Sequence, residues 1–193
     1  MKLLIPNNPS LLVAMPQLQD PNFRRTVILL FDYGPAGALG FIINKRSPLQ
    51  LRGILADSDF PIPENTPIWG GGPVLSANGV ILHNEAAGAT DTTIIPGVCL
   101  SSDKSLMAKY CGYYTNPTAR ANCLYPYRFL IGYAGWGPGQ LDAEIRMGTW
   151  IQAAIDKEIL FDVKEEYIWN ACLKAIGVKD ENTLLIANNS FLN

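Results

Sequence analysis

A chain of 193 residues with 48% hydrophobic and 17% charged side chains can bury one sizeable core, and the usual ~100 to 200 residues per domain predict a single domain over residues 1–193. A net charge of −2 supplies no basic field for a phosphate backbone, which disfavours direct nucleic-acid binding; Arg24-Arg25 and Lys45-Arg46 read as solvated strand ends or turns. The first ten residues, broken by Pro6 and Pro9, lack a signal-peptide apolar region, and no run approaches the ~18 apolar residues of a membrane span, so a cytoplasmic protein without membrane association is expected.

In chain order, Leu11 to Met15 reads as a first strand, followed by a loop ending in the turn initiator Asp20-Pro21. The β-branched and leucine-rich run Thr26 to Asp32 reads as a buried strand, and after the turn at Tyr33 to Gly37 the chain returns as Ala38 to Asn44. Leu49, Leu51, Ile54 and Leu55 suggest a short helix, ended by the proline-rich connector Phe60 to Pro67. Ile68 to Val74 contains three consecutive glycines, where the backbone must approach something closely, and Gly79 to His83 is a strand that ends on the only histidine. Ile94 to Leu100 reads as one strand, with Ser101 or Ser102 capping a helix that runs to about Cys111. Gly112 to Tyr125 is irregular and reads as a surface excursion.

Tyr127 to Ala134 reads as a buried strand, then Gly135, Gly137 and Gly139 bracket Trp136 and Pro138 in a turn that leads into a helix. Asp142 and Glu144 fall early in that helix and Arg146 late, the order its dipole favours. Ile159 to Phe161 is a short strand candidate, and Asp162 with Glu165 has capping-box spacing. Tyr167, Ile168, Ala171, Cys172, Ala175 and Ile176 share one face of the clearest helix, which Gly177 closes. Leu184 to Ala187 could add an edge strand, and residues 188–193 read as a frayed tail. Short strands interleaved with four modest helices indicate an α+β fold with a mixed sheet.

The chemistry in these stretches admits two readings at each point. Gly70 to Gly72 could form an anion-binding nest, or a tight turn where strands cross; neither a P-loop nor a dinucleotide fingerprint is present. His83 could be a general base with Asp142 or Glu144 behind it and Ser76, Thr26 or a cysteine as nucleophile, or a hydrogen-bonded structural histidine. Asp142 and Glu144, two apart, point roughly 200° apart on a helix and then form no carboxylate pair, whereas on a strand they would share one face; the helical reading is the stronger. Trp136 is either a packing anchor or one wall of a shallow pocket. Cys99, Cys111, Cys123 and Cys172 are too widely spaced for a zinc site and read as reduced thiols, so neither metal nor cofactor is expected.

Taken together, several stretches resemble the AlgH/YqgE family of bacterial proteins. They are Leu12 to Pro16, Asp20 to Val27, Gly37 to Gly40 with Asn44, Gly71 to Val74, Gly79 to His83, and Gly132 to Trp136 continuing through Gly139-Gln140-Leu141 and Glu144-Ile145 to Trp150. Thr26 stands where the family usually has serine, Asp142 where it usually has glutamate, and the tail beyond Gly177 matches no motif. The resemblance implies an α+β fold whose mixed sheet curls into a small barrel flanked by helices, in a cytoplasmic protein commonly labelled a transcriptional regulator with no established enzyme activity.

Its motifs make Asp20, Arg25, Asn44, Gly71, Gly72, His83, Gly135, Trp136, Gln140 and Glu144 the candidate binding or structural-motif residues. The first functional expectation is a non-enzymatic regulatory or binding protein in which both glycine-rich turns, with His83, Trp136, Gln140 and Glu144, line one pocket for a small ligand or a protein partner. The alternatives are a hydrolase using His83 and a direct DNA-binding regulator, the latter disfavoured by charge.

Overall fold

A computed structural model describes residues 9–55, 58–74, 79–116, 118 and 126–178. The elements in order are β1 (Ser10–Ala14), β2 (Val27–Gly34), β3 (Gly37–Ile42), α1 (Leu51–Ile54), β4 (Ile68–Gly70), β5 (Val80–His83), β6 (Thr92–Ile95), β7 (Val98–Ser101) and α2 (Lys104–Thr115). They continue with β8 (Tyr127–Ile131), β9 (Ala134–Trp136), α3 (Gln140–Arg146), β10 (Trp150–Ala153), α4 (Lys157–Phe161) and α5 (Glu165–Ala175). The strands make two five-stranded sheets, ordered β10-β1-β2-β3-β9 and β4-β8-β5-β7-β6. The first is antiparallel throughout, and the second is mixed because β4 runs parallel to β8.

Side chains alternate across the strands into separate cores. Leu11, Val13, Val27 and Leu29 of the first sheet meet Leu82, Leu100 and Leu130 of the second, with Ile168, Trp169 and Cys172 of α5 packed on the same cluster. The opposite face of the first sheet, with Leu12, Ile28 and Leu30, lies under Leu141 of α3 and the indoles of Trp136 and Trp150. On the far face of the second, Ile81 and Phe129 are covered by Met107, Tyr110 and Cys111 of α2. Burial on both faces explains why β1 and β2 read as continuous apolar runs instead of alternating ones.

The expected barrel does not close: each sheet is an open row of five strands. The two sheets are instead joined through the run Tyr127 to Trp136, expected to be one strand as far as Ala134. It breaks at Gly132, whose φ of 77° is left-handed, and passes from the second sheet into the first as β8 and β9. The triple-glycine stretch is the other half of that crossing. Gly71 donates to the Ile131 carbonyl (2.7 Å) and accepts from Ile42 N (2.7 Å), while Val74 and Tyr133 exchange backbone bonds of 3.1 and 2.9 Å. A Cβ on Gly72 would stand 2.0 Å from the Tyr133 carbonyl carbon, so only glycine lets the two chains touch.

Other local expectations need correction. Ile94 to Leu100 is two strands, β6 and β7, reversed at Gly97 with φ of 80°. Asp103, rather than Ser101 or Ser102, caps α2, its Oδ1 accepting from Ser105 N (2.7 Å) and Leu106 N (3.2 Å), and the helix continues to Thr115. Ile159 to Phe161 is helical because Asp156 caps α4 through Glu158 N and Ile159 N; three apolar residues carry no period of their own. Lys164 precedes α5 without a side-chain cap, so Asp162 and Glu165 form no capping box. Five helices are therefore seen among the described residues where four were expected. The suggested strand at Leu184 to Ala187 and the 188–193 tail lie outside the described residues, as do Ser76 and Cys123.

Candidate functional site

The stretch around Trp136 is a hydrogen-bonded clamp. Gly135 and Trp136 belong to β9 rather than to the turn, and α3 begins after Gly139 in left-handed conformation, φ 70°. Gln140 Oε1 accepts from Gly137 N (3.0 Å) while its Nε2 donates to Glu144 Oε1 (2.8 Å). Glu144 Oε2 accepts from Trp136 Nε1 (2.9 Å) and from Trp150 Nε1 (2.7 Å). The indoles meet edge to face at 6.0 Å and Phe23 stacks on Trp136 at 6.4 Å. Asp142 points elsewhere and accepts from the Tyr33 hydroxyl, a bond that raises the tyrosine's pKa. Trp136 is thus a packing anchor whose polar edge is satisfied, and it also forms one wall of a shallow hollow against the β2–β3 hairpin.

Asp20, Arg25 and Asn44 shape the turn between β1 and β2. Asp20 Oδ1 accepts from Asn22 N (2.8 Å) and Phe23 N (3.3 Å). Asn44 holds both sides of Thr26, its Oδ1 accepting from Val27 N (2.7 Å) and its Nδ2 donating to the Arg25 carbonyl (2.9 Å). Arg25 takes a left-handed φ of 55° and lies over the Trp169 ring at 5.1 Å. Lys45 donates to the carbonyls of Pro21 and Asn22, and burial pushes its pKa down. At the triple glycine, Gly70 N donates to the Lys45 carbonyl and Gly71 N to that of Ile131, so these amides bind carbonyls instead of converging on an anion. The strand-crossing reading holds for that stretch, and the anion nest does not.

His83 is different. It ends β5 opposite Cys99 on β7 and Tyr127 on β8, and it is 1% exposed. Neither ring nitrogen has a hydrogen-bond partner, although Nε2 lies 3.4 Å from Asp91 Oδ2. Asp91 is held by the turn before β6, with Oδ2 accepting from Gly88 N (2.7 Å). Burial pushes the His83 pKa down and outweighs the pull of Asp91 and Glu85, which favours the neutral ring at pH 7. Ser10 Oγ, Trp69 Nε1 and Asn84 Oδ1 are also buried without partners, but His83 alone of these titrates. The buried guanidinium of Arg128, by contrast, donates to the Leu160 carbonyl, and desolvation pushes its pKa down to about 10.

Beside His83 opens a hollow of about 290 Å³ bounded by Glu85, Thr90, Asp91, Asp103 and Ser105. Glu85 receives Lys109 Nζ at 2.6 and 2.8 Å and the Tyr110 hydroxyl at 3.0 Å, and Lys109 holds its pKa down. A separate hollow of about 520 Å³ lies between the β2–β3 hairpin and Trp136. His83 and Trp136 therefore do not line one pocket, and Gln140 and Glu144 face the indoles.

Of the expected catalytic partners, Cys99 faces His83 across β5 and β7 without hydrogen-bonding its ring, Ser76 lies outside the described residues, and the carboxylates and Thr26 are engaged elsewhere. Asp142 and Glu144 bind Tyr33 and the tryptophans, and the Thr26 hydroxyl donates to the Phe23 carbonyl (2.7 Å) in the first sheet. Cys99, Cys111 and Cys172 are free and buried, and burial raises all three thiol pKa values, Cys111 and Cys172 to about 11. No group of three or more His, Cys, Asp or Glu side chains suited to a metal exists among the described residues. Sequence reasoning missed Asp91, Glu85, Asp103 and Ser105. The Asp103 cap was a detectable signal, but Asp91 reaches His83 only through the registers of β5, β7 and β6.

Comparison with known proteins places this arrangement. The model of the AlgH-like family matches residues 11–181. A UPF0301 protein of Myxococcus xanthus is 34% identical over 173 residues, covering 88% of this chain and 91% of the relative. A UPF0301 protein of Stutzerimonas stutzeri is 36% identical over 174 residues, covering 86% and 87%. The solution structure of the AlgH protein from Pseudomonas aeruginosa superposes with a TM-score of 0.69 at 30% identity, covering 97% of each chain. A Corynebacterium diphtheriae crystal structure, at 20% identity and TM-score 0.64 over 90% of this chain and 89% of that one, shares the fold. Among the described residues no helix is long and apolar enough to cross a membrane. With a family model spanning the two sheets and the turns that join them, and relatives above 30% identity along most of its length, this α+β chain belongs to the AlgH-like family.

Proposed function

We propose that the protein is a non-enzymatic, cytoplasmic binding protein that influences gene expression indirectly, through a small ligand held at His83. One observation carries this reading: a fully buried imidazole with both nitrogens unpaired beside an open hollow. Buried polar groups without partners cost about 1 to 3 kcal/mol each, so a fold that keeps one beside open space has a partner to gain on binding. At about 290 Å³ the hollow falls just below the roughly 300 to 1,000 Å³ of drug-sized ligand pockets, which limits it to a small ligand.

Among the described residues no hydroxyl or thiol hydrogen-bonds the ring, and burial disfavours the Cys99 thiolate, which weighs against the hydrolase alternative. Direct DNA binding has only a net charge of −2 to draw on. Thermal unfolding against nucleotides, metabolites, metals and short nucleic acids tests the proposal, since a ligand at one hundred times Kd adds about 2.7 kcal/mol. A shift lost in His83→Ala is expected. A flat panel, or a shift that survives the substitution, overturns the assignment.

A further inference from the structure

The geometry points to a small primary amine, bound as its ammonium, as the class of ligand that the His83 hollow takes; this rests on the reading of that hollow as a ligand site. Three carboxylates, Glu85, Asp91 and Asp103, border the space, and Lys109 supplies one cation, whose ammonium lies on Glu85. The Asp91 side chain is only 5% exposed, and its Oδ2 lies 3.4 Å from His83 Nε2. A neutral imidazole beside a buried carboxylate leaves the carboxylate without a full counter-charge.

Charge and hydrogen-bonding chemistry then choose among ligand classes. A carboxylate or phosphate would add negative charge to a hollow where three carboxylates already face one ammonium. A divalent metal would need several converging ligands, and no group of three exists among the described residues. An alkylammonium carries three donors and no acceptor. His83 Nε2 and Asp91 Oδ2 lie 3.4 Å apart and both are buried, so an ammonium admitted by a small movement of the wall would donate to the carboxylate and, in the tautomer with the ring proton on Nδ1, to Nε2 as well. Ala86, Ala89 and Leu106 line the same hollow, and these residue types suit a short apolar stem.

His83 is the only histidine, so its ring ¹⁵N and ¹³C resonances are an unambiguous reporter. The full chain would be titrated at neutral pH and fixed ionic strength with n-butylamine, n-butyrate and n-butanol. Butylamine alone is expected to move those resonances saturably, with at least tenfold weaker binding in Asp91→Asn. If butyrate moves them instead, or butanol moves them as strongly as butylamine, the amine class is overturned while the ligand site stands. If none of the three moves them, both readings fall together. Should Asp91→Asn fail to fold, the three probes on the unmodified chain still decide.

Discussion

Glu144 and His83 are both polar groups set into apolar surroundings, and both lie within the span that the family model matches, yet they are in opposite states. The Glu144 carboxylate accepts three hydrogen bonds, two from indoles and one from Gln140. The His83 ring makes none, although it is 1% exposed. Lying in that span does not separate a structural group from one open to a ligand, and burial does not either. Counting satisfied atoms does, because a saturated group has nothing left to offer.

The largest test of that contrast is Glu144→Ala. It leaves the N–H groups of Trp136 and Trp150, 7% and 2% exposed, without their acceptor. At about 1.5 to 3 kcal/mol per charge-assisted bond, the expected loss in urea unfolding is about 4 kcal/mol. A loss under about 0.5 kcal/mol would break the clamp reading. Next is Gly72→Ala, whose new Cβ meets backbone rather than a movable side chain. About 3 kcal/mol is expected from prising the crossing apart, read in the same experiment. An unchanged midpoint would mean that the strands have room to separate.

These two regions also show what the residues alone could reveal. Glycine clusters flagged a close backbone approach, since only a missing side chain permits it, but not that Gly71-Gly72 and Gly132-Tyr133 approach each other. The helical spacing of Asp142 and Glu144 foretold their divergence, and they do bind different partners. The apolar runs of β1 and β2 were legible because both faces are buried. The break at Gly132 was not, because one glycine in an apolar run reads equally as strand interior or as a corner. His83 stood out as the only histidine. Its neighbours Asp91 and Asp103 come from later turns, and a pairing register made by three strands has no period in the linear sequence.

At the other side of the contrast, His83→Leu should raise stability by about 1 kcal/mol, the low end of the cost of an unpartnered buried polar group, because it removes that group while leucine refills the site imperfectly. The same substitution should abolish the ligand shift, separating site from scaffold as Glu144→Ala cannot. A loss near that of Glu144→Ala would show that the ring makes structural bonds.

The smallest effect is the pH dependence of that difference. Burial holds the His83 pKa below its ordinary 6.5, against the pull of Asp91 and Glu85 and with the help of Lys109. Between the folded value and 6.5 the unfolded chain binds more protons than the folded one, so stability rises with pH across that window. The contribution is complete above 6.5 and is lost as pH falls through the folded value. Glu85 also has a lowered pKa, but its loss falls below 4.5, a separate window. Unfolding free energies of the native chain and His83→Leu, measured from about pH 7.5 down to pH 5, should therefore diverge on acidification, with the native chain losing more. Parallel curves would mean that the ring titrates alike in both states. A native chain gaining on acidification would mean that His83 is protonated against Asp91, and an imidazolium there would repel the ammonium assigned to the hollow.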